Sequence, residues 1–111
     1  MWTLAFNGKQ GLVPFIELRL KTKAGAKFAA VQLSKLSGHS VIPMRFKNAQ
    51  VLSRVDATTE LPDTRFNVFA INLDDFSVLK VGNVIGSHIK WWEEHWEKEQ
   101  VGNTQLLFLA A

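Results

Sequence analysis

Cysteine and tyrosine are both absent from the sequence. Without cysteine there is no disulfide framework, no thiol nucleophile, no iron–sulfur cluster and no thiolate zinc site. Such a chain is compatible with a reducing compartment. Without tyrosine there is no phenolic general acid, and aromatic character rests on eight phenylalanines and four tryptophans. Long hydrophobic runs are lacking too. The longest, Leu106 to Ala111, falls far short of the roughly 20 residues of a membrane span. The start, Met1 to Gly8, has no basic region ahead of an apolar one and does not read as a secretory signal. These absences lead to the expectation of a soluble cytoplasmic protein with no membrane partner. There is also no low-complexity tract and no internal repeat apparent.

Acidic residues are scarce in one half only. Residues 1–55 carry nine Lys/Arg against one acid, Glu17, a net of +8. Residues 56–111 carry four Lys/Arg against nine acids, a net of −5. The overall +3 conceals this asymmetry.

What is present reads as one domain over residues 1–111, with an ordinary globular balance of 47% hydrophobic and 21% charged residues. Asn7-Gly8 is a turn signal after a short β-favouring segment, Trp2 to Phe6. In Leu12 to Thr22, apolar Ile16, Leu18 and Leu20 alternate with Glu17, Arg19 and Lys21, the period of a half-buried strand. Strands are also expected at Val41–Phe46, with Pro43 favouring a sheet edge, at Ala49–Val55 and at Arg65–Leu73. A loop is expected at Asp56–Asp63, and a Gly82-Asn83 turn within Phe76–Ile85. Residues 26–37 fit a helix ended by Gly38, or a hairpin. Ser87–Glu99 predicts an amphipathic helix capped by Ser87, with Ile85, Ile89, Trp92 and Trp96 on one apolar stripe. A terminal strand closes the chain at Leu106–Leu109. The fold class is α+β: five or six mostly antiparallel strands against the helix at 87–99, with a second helix near 26–37. The alternative is a small β-barrel with one C-terminal helix.

Catalytic patterns are weak. His88 and His95 are seven residues apart, about 10 Å along a helix, too far to share a metal ion within it. No nucleophile elbow, phosphate loop or cofactor motif occurs. Gly86 and Ser87 precede a helix and could offer N–H groups to an anion. The acid pairs Asp74-Asp75 and Glu93-Glu94 read as solvated surface.

Three function classes remain. The first is an interaction or ligand-binding module, a homodimer, using Trp91, His88, His95 and Trp96; Trp91 lies off the apolar stripe. The second is a nucleic-acid-binding protein with a basic sheet face of Arg19, Lys21, Lys23, Arg45 and Lys47, and Phe15 and Phe46 as stacking surfaces. The third is a small enzyme with a pocket near His88 and His95. No metal or cofactor is expected. Self-association, nucleic acid and a small-molecule ligand stay open as partners.

Overall fold

Asn7-Gly8, expected to turn the chain, is instead the end of a strand in the computed structural model, with Asn7 paired to Leu12 and Gly8 to Gly11 in the first hairpin. The structure describes residues 1–8, 11–15, 18–45, 62–99 and 103–111, the side chains of 97–99 excepted. β1 (Trp2–Gly8) and β2 (Gly11–Pro14) are antiparallel, with Gly8 opposite Gly11. The alternation from Leu12 to Thr22 does not make one unbroken strand. β2 ends at Pro14, and a Leu18 N–H bond to the Phe15 carbonyl turns the chain. The edge rejoins β1 at Leu20, which is hydrogen-bonded to Trp2 in both directions. Pro14 pairs with Ala5 and Leu20 with Trp2, six residues along one edge against three along β1. Burial still alternates: Leu18 and Leu20 are buried, Arg19 and Lys21 exposed.

The ambiguous alanine-rich stretch is helical. α1 (Lys23–Ser37) starts at Thr22, whose Oγ1 accepts from the Gly25 N–H at 3.0 Å. It stops at Gly38, in the left-handed conformation at φ 74°, where glycine carries no steric penalty. The hairpin alternative is thereby excluded, and with it the barrel. β3 (Val41–Arg45) then pairs antiparallel with β1, placing Pro43 on an edge as expected. The expected strand at 49–55 lies outside the described residues, as does the loop after it except for a turn at Pro62-Asp63.

The second half comprises β4 (Arg65–Asn72), β5 (Val78–Ile85), α2 (Ile89–Glu99) and β6 (Thr104–Ala110). Gly82-Asn83 does not turn the chain. Both lie inside β5, opposite Val68 and Asn67, beside a bulge that leaves Val81 as the extra residue. Glycine at 82 answers to packing instead: a Cβ there would lie 3.2 Å from Cη2 of Trp92. Ser87 does not cap α2 either. A short 3-10 turn, Gly86–His88, precedes the helix. Its Gly86 and Ser87 N–H groups bond to the Thr64 and Pro62 carbonyls, which closes the anion niche.

The six strands divide between two antiparallel sheets, in the orders β2-β1-β3 and β5-β4-β6. The two halves therefore follow one path. Each lays down a strand, folds a second back on it, passes through a helix and adds a third on the opposite edge. This ββαβ repeat is not visible in the residues, because the two copies are built from different side chains.

Those side chains make two cores. The first joins Leu4 and Val41 of sheet β2-β1-β3, Leu18 and Leu20, the Ala26, Ala29 and Leu33 face of α1, and Phe69, Ile71, Leu107 and Leu109 of the other sheet. The second lies on the opposite face of that sheet. There Phe66, Val68 and Val84 meet Ile89 and Trp92 of α2. Sheet β5-β4-β6 is thus apolar on both faces and stands between the two helices. Each large side chain buried there contributes about 1.5–3 kcal/mol.

Polar side chains tie the halves together, His39 through Nε2 to the Ala110 carbonyl at 3.1 Å and Gln32 twice. Gln32 of α1 donates from Nε2 to the Phe76 carbonyl at 2.9 Å, and its Oε1 accepts the Val78 N–H at 3.0 Å. Phe76 itself sits at φ 63°, a conformation costing a bulky residue about 1–3 kcal/mol. Its ring lies so close over Gly25 that an added Cβ would be 2.5 Å away.

Candidate functional site

Two surfaces collect the chemistry. The first surrounds Trp2 in β1. Because β1 is the central strand, Trp2 has a neighbour on each side: Arg45 of β3 and Leu20 of the returning edge. Arg19 and Lys21 flank Leu20 in sequence and are exposed. Lys23, in the first turn of α1, brings its Nζ to 5.5 Å from the Trp2 ring centroid, and the Arg45 guanidinium carbon lies at 5.6 Å. Cation–π contacts of this kind are worth about 0.5–1 kcal/mol at exposed sites.

Four of the five expected basic residues, Arg19, Lys21, Lys23 and Arg45, therefore gather at one end of the sheet. Lys47 lies outside the described residues, as does Phe46. Phe15 is half-buried, its ring against Phe6 at 5.6 Å, alongside the first core. The aromatic at the basic cluster is Trp2 instead. Sequence reasoning missed it because Trp2 and Arg45 meet only through strand pairing, more than 40 residues apart in the chain.

The second surface is the outer face of α2. Burial of Ile89 and Trp92 against the sheet turns Trp91 outward, and it is 59% exposed. Its ring is nevertheless held. It stacks on His95, one helical turn on, with centroids 4.8 Å apart and planes 9° from parallel. It also meets the Trp92 ring edge-on at 6.3 Å. Glu94, three residues on from Trp91, is exposed on the same side. Trp96 is different in kind. It is half-buried, and its Nε1–H donates to Thr104 Oγ1 at 3.1 Å, fastening α2 to β6.

His88 and His95 are both exposed and do not converge on one another. Among the described residues no cluster of three or more His, Asp or Glu could hold a metal ion. The Asp74-Asp75 pair shapes a turn. Asp75 Oδ1 accepts from the Ser77 N–H and hydroxyl at 2.9 and 2.7 Å, and these bonds hold its pKa below the ordinary value. Among the described residues no helix is long and apolar enough to cross a membrane.

No family model matches the chain, and neither a curated protein nor a solved structure is significantly similar to it.

Proposed function

We propose that the protein is a small interaction module that associates with itself through the outer face of α2, the homodimer being the smallest form. The observation that carries this reading is Trp91. A tryptophan 59% exposed to water leaves a large apolar area uncovered. Its stack on His95 and edge contact with Trp92 fix its orientation before any partner arrives. Pre-ordered aromatic anchors lose little entropy on binding and dominate interface energetics. Light scattering across a wide concentration range tests it. The mass should rise with concentration for the native chain and stay monomeric for Trp91→Ala. A strictly monomeric native chain would contradict self-association.

A second reading rests on the basic cluster at Trp2, which suits a nucleic-acid backbone. Lys23 and Arg45 converge on one ring, with Arg19 and Lys21 beside them. Phosphate neutralisation by such groups releases counterions, so binding falls steeply with salt. Retention on a nucleic-acid column at low salt, lost in Lys21→Glu/Arg45→Glu, is the expected outcome. No retention at low salt would rule against it.

A further inference from the structure

The nucleic-acid reading stops at the Trp2 cluster, but the basic surface runs on along α1. Lys23, whose Nζ stands 5.5 Å from the Trp2 ring centroid, is the first residue of that helix. Lys27 follows one turn on, and Lys35 two turns beyond it. All three are exposed, as are Phe28 and Val31 between Lys27 and Lys35. From Lys23 to Lys35 the helix rises about 18 Å, and it contains no acid. The acidic turn of Asp74 and Asp75 does not share the lysine flank. It meets α1 through Phe76, at Gly25 and Gln32, which at about 100° per residue point away from Lys23 and Lys27. Its carboxylates accept from Asn103 and Ser77.

Phe28 decides what kind of polyanion fits. It is 54% exposed, a ring standing among lysines on the solvent side of the helix. Phosphate-binding charge beside an open aromatic face is the combination that holds unpaired nucleotides. A base offers its own face only where it is unstacked; a duplex keeps its bases stacked inside. A helix reads a duplex chiefly through guanidinium and amide groups. α1 contains no arginine and no asparagine, and its one glutamine, Gln32, is bonded to Phe76 and Val78. From this we infer that the outer face of α1, continuous with the Trp2 cluster, binds single-stranded nucleic acid. Lys23, Lys27, Lys35 and Arg45 meet phosphates, and Phe28 stacks against a base. The inference rests on the nucleic-acid reading and narrows it to unpaired strands.

Fluorescence anisotropy with three probes tests this: a labelled single-stranded oligonucleotide of about 15 nucleotides, the same oligonucleotide annealed to its complement, and labelled phosphatidylserine vesicles. Circular dichroism checks that each variant remains folded. The native chain should bind the single-stranded probe at least about tenfold more tightly than the duplex at equal salt. Phe28→Ala should weaken that binding at least about fivefold without altering its salt dependence, and Phe28→Trp should retain it. Lys27→Ala/Lys35→Ala should flatten the fall of log affinity with log salt by about 1.4, at about 0.7 for each phosphate on a single strand. Equal affinity for the duplex, with Phe28→Ala unchanged, would overturn the single-strand inference and leave the basic-surface reading in place. No binding to either oligonucleotide at low salt, whether or not the vesicles bind, would overturn both.

Discussion

The first half of the molecule seals its helix to its sheet with alanine; the second does so with isoleucine and tryptophan. Gly25, Ala26, Ala29 and Ala30 give α1 a buried face with almost no side-chain bulk. The helix can therefore lie close to sheet β2-β1-β3 while Leu33 reaches into a core shared with the other sheet. α2 instead spans its gap with Ile89 and Trp92, over a core that its own half supplies. One topology is thus packed in two ways. The lesson is that the path of the chain does not dictate helix chemistry, only helix position. The outer faces were left free to diverge: α1 exposes Lys27, Phe28, Val31 and Lys35, and α2 exposes Lys90, Trp91, Glu94 and His95.

This comparison can be broken at its buried positions first. Leu33→Ala should destabilise the protein by about 2–5 kcal/mol, because it opens a cavity in the shared core. Hydrogen exchange should accelerate in both sheets, since both line that core. Trp92→Ala removes a half-buried side chain and should cost less, about 2–3 kcal/mol. Its effect should concentrate in α2 and β5. Equal loss of protection throughout the chain in both variants would show that the two cores are not separable.

Gln32→Ala comes next. It removes both bonds to the turn before β5 and leaves the Phe76 carbonyl and Val78 N–H without this partner, for about 1–3 kcal/mol. Denaturant titration should show that loss, and Gln32→Glu should fail to restore it because a carboxylate cannot donate to the Phe76 carbonyl.

The smallest effect is at Asp75. Its pKa is lower in the folded chain than in the unfolded one, so its contribution is present at neutral pH. That contribution fades as pH falls through the ordinary carboxylate range toward the folded value. Acid titration of Asp75→Ala should lose less stability over that window than the native chain does. An identical pH profile would show that the Ser77 bonds add nothing.

Much of the local structure is legible in the residues. Gly38 marks the end of α1 and Pro43 an edge strand, whereas Asn7-Gly8 lies within the β1–β2 ladder. Local signals failed where a distant residue set the outcome. Gly82-Asn83 resembles a turn, but the constraint on Gly82 comes from Trp92, folded onto it by α2. Ser87 resembles a cap, but the carbonyls of Pro62 and Thr64 take the N–H groups around it. The alternation through Arg19 and Lys21 correctly gives inside and outside, yet β2 ends at Pro14 and pairing with β1 is next made at Leu20. At the site, Trp91 is legible because it lies off the apolar stripe of its own helix. Trp2 is not, because strand pairing alone brings Arg45 to it. The repeat leaves no trace in sequence, since alanine and tryptophan solve the same packing problem with opposite volumes.

The covering of Trp91 by self-association is tested most directly by hydroxyl-radical footprinting of the native chain at low and high concentration. Trp91 should lose reactivity as association proceeds, while Leu79, exposed on β5, keeps its own. Trp91 that stays equally reactive at high concentration would contradict the account.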